Sequence, residues 1–249
     1  HSGSQELCSR VVDPDDTRSV DADVHRRLWQ VCSRFAVSAD TCFLLRTDKS
    51  FVVIMKQMAP QHRLPWSLPV DRDKFILGQC EGQRVLHLAC ASAPFTRELH
   101  KSRQLLHDKL RQRTAEIYGV DIDRQALSYL ESNGFHHLIA ADLLDRWDVD
   151  GISQRLPWIP DVVLAGELLE HLDQQGLALT NISRLLGPES KLVITVPNSF
   201  SIKSFLRVCV GHEKVAHDHV SYFSYVNLKE LVGRAGLQVD QVAWYTSSF

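Results

Sequence analysis

The stretch "GELLEH" brings three side chains that can bind a cation into six residues, directly after the apolar run at 162–166. They are Glu167, Glu170 and His171, at positions i, i+3 and i+4. In an α-helix this spacing places side chains on one face. Carboxylate oxygens and imidazole nitrogens are ligands of divalent cations, so the spacing predicts a cation site on a helix. The alternative is a hydrogen-bond network on the helix surface.

A second group of candidate residues lies in the histidine-rich stretch "GHEKVAHDHVSYFS". A histidine has the pKa needed to remove a hydroxyl proton near neutral pH. His219 is the first candidate for such a base, His217 the second, and His171 a third from the preceding stretch. His217 and His219 are also candidates for a fourth metal ligand beside Glu167, Glu170 and His171. The alternative is that this stretch is a structural loop and strand edge, which its own aromatic residues hold against the core.

Acidic residues end two further apolar runs, "EIYGVDI" and "HHLIAAD". A carboxylate at the end of the second strand can accept hydrogen bonds from both hydroxyls of a ribose, and Asp121 occupies that position. Asp142 ends the next run. The alternative for Asp121 or Asp123 is that it caps the helix that follows.

The elements that would position these residues alternate along the chain from Leu86 onward. Short β-rich runs, "RVLHLA", "EIYGVDI", "HHLIAAD", "DVVLAG", "KLVITVPN" and "LQVDQVAWY", are separated by helical patterns. Among the helices, "DRQALSYLESNG" follows an Asp cap and stops at Gly134, "LLEHLDQQGLALTNISRLLG" stops at Gly187, and "NLKELVGRAG" has its own glycine stop. This alternation predicts βαβ units and a parallel sheet whose carboxyl edge carries the ligand site.

Residues 5–69 have a different pattern and are predicted to form an N-terminal extension to a domain at 70–249. "DADVHRRLWQVCSRFA" predicts an amphipathic helix and "CFLLRTDKSFVVIMK" a β-hairpin, and three prolines mark a linker at about 59–70. After "LQVDQVAWY" only "TSSF" is left for a last strand. Either the chain is truncated there, or "SFVVIMK" supplies that strand.

Composition excludes several classes of protein. The 249 residues carry a formal charge of −2, with 44% hydrophobic and 23% charged residues, which argues against a nucleic-acid-binding surface over the whole chain. The six cysteines contain no C-x-x-C pair, so neither a zinc ribbon nor a disulfide framework is indicated. We find no apolar run as long as a membrane span and no signal peptide, and a cytoplasmic location is expected. Oligomeric state is left open.

Five motifs in order resemble the class I S-adenosylmethionine-dependent methyltransferases: "RVLHLACASA", "EIYGVDID", "IAADLLD", "DVVLAGELLEHL" and "ISRLLGPESKLVITVPN". The last is similar to the branch that includes the ubiquinone O-methyltransferases. The resemblance covers about residues 80–245 and implies an α/β, Rossmann-like, mostly parallel sheet of seven strands. It assigns to the cofactor His87, Leu88, Ala89, Cys90, Ala91 and Ala93 at the methionine part, Asp121 at the ribose, Asp142 and Leu143 at the adenine, and Gly166 near the amino-acid end. Ile122 and Glu167, next to Asp121 and Gly166, are cofactor-binding candidates as well. It also associates the E-x-x-E-H motif with Mg²⁺.

Two departures from the family pattern concern the cofactor loop. The family's D-x-G-x-G-x-G is replaced by His87, Ala89, Ala91 and Ala93, so each glycine gains a methyl group and the acid becomes an imidazole. A buried histidine with a satisfied hydrogen bond is the alternative for His87. The interval from His87 to Asp121 is also long, and "TRELHKSRQLLHDKLRQRT" predicts a lengthened, basic first helix, either a solvated face or a docking patch for an anionic substrate.

The sequence therefore predicts a methyltransferase that uses S-adenosylmethionine and acts on a hydroxyl of a small molecule such as a sugar, a lipid or a metabolite. The glycine-free loop favours a second hypothesis, a catalytically impaired protein that keeps the fold for binding. A nicotinamide-dependent dehydrogenase is third, because the chain has no G-x-G-x-x-G.

Overall fold

The central feature is a parallel sheet of five strands. The computed structural model describes residues 63–65 and 67–245. The strands are β1 (Arg84–Leu88), β2 (Glu116–Asp121), β3 (Leu138–Ala140), β4 (Val162–Gly166) and β5 (Lys191–Thr195), in the order β3-β2-β1-β4-β5. All four pairings are parallel. The order reverses between β1 and β4, and ligands of such sheets bind beyond the carboxyl ends at that point.

Eight α-helices and one 3₁₀ turn accompany the sheet in the described residues. The helices are α1 (Arg72–Cys80), α2 (Thr96–Lys101), α3 (Leu106–Arg111), α4 (Arg124–Ser132), α5 (Arg146–Arg155), α6 (Gln175–Ser183), α7 (Ile202–Cys209) and α8 (Tyr225–Arg234), and the 3₁₀ turn is Leu169–His171. Side chains cap several of them, since Asp71, Asp123, Asp145, Ser201 and Ser224 each accept a hydrogen bond from a first-turn amide. None of these helices is long and apolar enough to cross a membrane.

The core lies on both faces of the sheet, because alternate residues of a strand point to opposite faces. Leu86, Leu88 and Val163 pack in one cluster with Val149 of α5 and Ile182 of α6. A second cluster on the other face joins Val85, Ile117 and Leu164 to Ile76 of α1 and Leu110 of α3. Strands that are buried on both faces have continuous apolar sequences, and such runs could therefore be identified as strands from the sequence.

The structure confirms the mostly parallel α/β fold and corrects some of its elements. Strands β1 to β5 lie in the predicted runs, and α4 begins after Asp123 and stops before Gly134, whose φ is +81°. The prediction of a single lengthened first helix was wrong. Two short helices, α2 and α3, replace it, with Arg103 at φ +58° between them.

One other helical prediction also changes. The helix predicted from Leu168 to Gly187 begins only at Gln175, because Leu169–His171 forms the 3₁₀ turn. Helices α1, α5 and α7 were not predicted. In the predicted sixth strand, Tyr245 forms one parallel bridge with Val70 and the described residues 237–244 form no ladder. The sixth and seventh strands therefore stay predictions.

The predicted N-terminal helix and hairpin, including the run at 51–56, lie outside the described residues, as do residues 246–249. The division into an extension at 5–69 and a domain at 70–249 stays a prediction too.

Candidate functional site

The loop after β1, residues 89–94, lies at the carboxyl edge of the sheet and is held there by Asp121. The amide of Ala91 donates to Asp121 Oδ2 at 2.9 Å, and Cys90 and Ala91 are fully buried. Ala89 has φ +53° and Ser92 has φ +54°. Left-handed backbone costs a residue with a Cβ atom about 1–2 kcal/mol. Of the three alanines that replace family glycines, Ala89 alone has this conformation.

Asp121 ends β2 and is 8% exposed. Its Oδ1 accepts from the amide of Asp123 at 3.0 Å, whereas Asp123 itself caps α4. Two carboxylate oxygens offer about four acceptor positions, so two backbone bonds leave capacity for ribose hydroxyls. Ile122 beside it is 67% exposed and offers an apolar surface to a ring.

Asp142 and Leu143 follow β3, the edge strand beside β2. Asp142 Oδ1 accepts from the amide of Leu144 at 2.8 Å, and the Asp142 amide donates to Asp148 Oδ2 at 2.8 Å. The carbonyl of Leu143 accepts from the Asn181 side chain at 2.9 Å. The structure thus brings this turn to the same edge as Asp121, and Asp142 together with side chains of α5 and α6 holds its conformation.

His87 lies beneath the loop rather than in an open pocket. It is 2% exposed, and its Nδ1 lies 3.1 Å from Nδ1 of the fully buried His107. Burial holds the pKa of His87 well below its usual range and lowers the pKa of His107 to about 4. His107 Nε2 has no hydrogen-bond partner among the described residues. This geometry fits the alternative of a buried, hydrogen-bonded histidine, and no sequence pattern indicated His107 as its partner.

Glu167 leaves β4 with φ +50°, directly after Gly166. Its amide donates to the carbonyl of Thr195 at 2.9 Å, and its Oε1 lies 2.5 Å from the Tyr245 hydroxyl and 3.8 Å from Nε of Arg72. A Cβ atom on Gly166 would lie 3.1 Å from the Arg72 guanidinium. Sequence reasoning missed both partners of Glu167, which are distant along the chain.

Glu170 is fully buried, and neither carboxylate oxygen has a partner among the described residues. Burial, with the nearby charge of Glu167, raises the pKa of Glu170 to about 8. The predicted helical face is wrong, because Glu170 and His171 lie in the 3₁₀ turn and Glu167 precedes it. The structure therefore does not bring Glu167, Glu170 and His171 together as one ligand set.

The set that does come together is Glu170, His171 and His219, whose ligand atoms lie within 4.8 Å of one another. We call it the Glu-His-His cluster. The two imidazole rings are perpendicular with centroids 4.7 Å apart, and His171 Nδ1 lies 3.1 Å from Asp218 Oδ2. The amide of Val220 donates to the Glu170 carbonyl at 2.9 Å, which fastens the histidine-rich segment to the turn. His217 is exposed and lies outside the cluster.

The cluster can do two kinds of chemistry. Burial, followed by the neighbouring His171, lowers the pKa of His219, so its imidazole is neutral at neutral pH and can accept a proton. Alternatively, the unpartnered Glu170 oxygens fit a cation. One carboxylate and two imidazoles suit a transition metal better than Mg²⁺, which prefers oxygen ligands, so nothing in this donor set supports the predicted magnesium.

Comparison with known proteins agrees with this fold. Residues 62–242 match the model of a family described as "Methyltransferase domain". The chain is 23% identical over 159 residues to a ubiquinone biosynthesis O-methyltransferase of Burkholderia vietnamiensis, covering 61% of this chain and 62% of that protein. The corresponding protein of Azorhizobium caulinodans is 24% identical over 206 residues, covering 75% of each chain.

A solved structure of a SAM-dependent methyltransferase from Aquifex aeolicus is 14% identical with a TM-score of 0.42, covering 68% of this chain and 80% of that chain. The family match spans most of the chain, and it includes the sheet, the loop after β1 and the Glu-His-His cluster. On that match, this chain belongs to the class I S-adenosylmethionine-dependent methyltransferases.

Proposed function

We propose that this protein transfers the methyl group of S-adenosylmethionine to a hydroxyl of a small molecule. The observation that carries the choice of a hydroxyl is His219, a neutral imidazole at the carboxyl edge of the sheet beside a buried carboxyl group. The name of the relatives, ubiquinone biosynthesis O-methyltransferase, supports the same choice. The acceptor is a sugar, a lipid or another metabolite.

In this proposal the loop at 89–94 and Asp121 hold the cofactor, which supplies an electrophilic methyl group on a sulfonium. Asp121 binds the ribose hydroxyls through its unused acceptor positions, and Ile122 packs against the adenine. The turn at Asp142 and Leu143 closes the adenine side. Because the loop amide of Ala91 is bonded to Asp121, loop and ribose site form one preorganised unit.

On the acceptor side, His219 removes the hydroxyl proton as the oxygen attacks the methyl group. General base catalysis of this kind contributes about 10²–10⁴-fold, and positioning contributes the rest. Asp218 orients His171, whose ring lies against His219. His217 has no role in this scheme.

A divalent cation at the Glu-His-His cluster is a second proposal for the same site, favoured by the unpartnered oxygens of Glu170. Such an ion would lower the pKa of a bound hydroxyl, and His219 would then be its ligand rather than the base. Glu167 is not part of this set, since Tyr245 and Arg72 occupy its carboxylate.

Calorimetric titration of S-adenosylhomocysteine into the wild-type protein tests the cofactor, with NADH as a control ligand. We expect micromolar binding of S-adenosylhomocysteine and none of NADH. Asp121→Asn should weaken binding at least about tenfold, since hydrogen bonds to a charged acceptor contribute about 1.5–3 kcal/mol. Asp173→Asn, which changes an exposed aspartate before α6, is the matched control and should have no effect.

Repeating the titration and a methyl-transfer assay with Mg²⁺, Mn²⁺ or Zn²⁺, and after EDTA treatment, separates the two roles of His219. Methyl transfer that requires a cation and is lost in Glu170→Gln would assign His219 as a ligand. Activity that survives EDTA and is lost in His219→Gln would assign it as the base. If the wild-type protein binds no S-adenosylhomocysteine under any condition, the alternative of a catalytically impaired binding protein replaces the proposed activity.

A further inference from the structure

A cavity of about 170 Å³ opens beside His219, between α7 and the segment at 213–222. Pro197 and Asn198, which follow β5, form its floor at the carboxyl edge of the sheet. Its volume is below the roughly 300–1,000 Å³ of pockets that enclose a drug-sized ligand. The cavity therefore fits the reacting end of an acceptor rather than a whole large molecule.

The charged side chains that line this cavity are Arg207, Lys214 and Glu213. Among the described residues, neither Arg207 nor Lys214 forms an ion pair. Glu213 Oε1 accepts a hydrogen bond from the Tyr222 hydroxyl at 2.8 Å. The lining therefore has two cations that form no ion pair with the described residues and one carboxylate, which together leave a formal charge of about +1.

The hydroxyl groups of the cavity wall add donors next to those cations. Ser204 and Ser221 line it. Ser204 Oγ is hydrogen-bonded to Ser201 Oγ at 2.8 Å, whereas Ser221 Oγ accepts from the side chain of Gln175 at 2.6 Å, which leaves the Ser221 hydrogen free to donate. Val208 and Val215 supply the apolar wall. Positive charge with hydroxyl donors favours an oxyanion, whereas a cationic ligand would be repelled.

We propose that Arg207 and Lys214 bind a carboxylate or phosphate of the acceptor while its hydroxyl faces His219. This inference rests on the proposed function and deepens it, because it makes the acceptor an anionic hydroxyl compound. Arginine and lysine bind both kinds of anion, arginine in a bidentate manner, so the lining alone names their shared chemistry.

The test measures binding of three one-ring probes, phenol, benzoate and phenyl phosphate, by calorimetry with and without saturating S-adenosylhomocysteine. We expect at least one anion to bind the wild-type protein about tenfold more tightly than phenol does. A tenfold difference in affinity corresponds to about 1.4 kcal/mol of binding free energy. The double variant Arg207→Gln/Lys214→Gln should bind all three alike. Benzoate and phenyl phosphate separate a carboxylate site from a phosphate site.

The matched control is Arg155→Gln/Lys191→Gln, which removes two exposed cations at the end of α5 and the start of β5, at the opposite edge of the sheet. It should keep the preference for anions. The proposal is overturned if phenol binds as tightly as both anions, or if the Arg207/Lys214 variant keeps the preference. Failure of the proposed function would give a different result: the wild-type protein would bind the anionic probes but not S-adenosylhomocysteine.

Discussion

The buried pair of His87 and His107 should make the protein less stable in acid. Folding lowers the pKa of His107 from 6.5 to about 4, so the unfolded chain binds its proton more tightly than the folded chain does. For such a group, stability is complete above the unfolded pKa and is lost as the pH falls toward the folded pKa. Between pH 7 and pH 5 this residue alone should cost about 2 kcal/mol in the free energy of unfolding, since one pKa unit is about 1.4 kcal/mol.

The assay is urea unfolding of the wild-type protein and of His107→Leu at both pH values. Comparing two proteins is necessary because Glu170, whose pKa is raised to about 8, acts in the opposite direction over the same range. We expect the wild-type protein to lose about 2 kcal/mol more than the variant between pH 7 and pH 5. In a chain of this size that corresponds to about 4–8 °C in Tm. Equal losses in the two proteins would refute the reasoning, whatever the absolute stability of the variant.

Three further predictions concern the loop and the cluster. Ala89→Gly removes the Cβ atom from a residue with left-handed backbone and should raise Tm by about 2 °C. Ala91→Gly makes the same change where φ is not positive and should lower Tm. A thermal melt that ranks the two variants the other way would contradict the strain assigned to Ala89. Glu170 lowers the stability of the wild-type protein as the pH rises from 5 to 7, because the unfolded chain releases this proton above its ordinary pKa of 4.5 while the folded chain keeps it until the pH approaches 8. Glu170→Gln should remove this contribution, and unfolding curves with an unchanged pH dependence would show that folding does not raise the pKa of Glu170. His219→Gln should lower the rate of methyl transfer about 10²–10⁴-fold with the same affinity for S-adenosylhomocysteine, and a weaker affinity with an unchanged rate would argue against its role as a base.

The sheet could be predicted from the sequence because its strands are buried on both faces. Runs such as "DVVLAG" are continuous and apolar for that reason, and the caps and stops around α4 are local signals at Asp123 and Gly134. The break between α2 and α3 carries no such signal, since Arg103 has left-handed backbone with neither glycine nor proline beside it. Local pattern therefore predicted one helix where there are two.

The candidate site was predictable in its residue types but not in its contacts. His219 and Glu170 were recognised as chemically competent, yet the helical spacing placed Glu167 in the wrong set. The contacts that decide the matter join distant parts of the chain: Tyr245 lies 78 residues from Glu167, and His107 lies 20 residues from His87. Periodicity and spacing describe neighbours along one element, so they could not predict partners brought together by the crossover connections.

The backbone and the side chain of Glu170 take part in two different sets of contacts. Its carbonyl accepts the amides of Val220 and Ser221, while its carboxyl group belongs to the Glu-His-His cluster. We therefore expect a ligand bound at the cluster to restrain the segment at 213–222 as well, which lines the cavity together with Arg207. In the proposed function, acceptor selection and proton removal would therefore be coupled through one residue, and hydrogen exchange at the Val220 amide would report on that coupling.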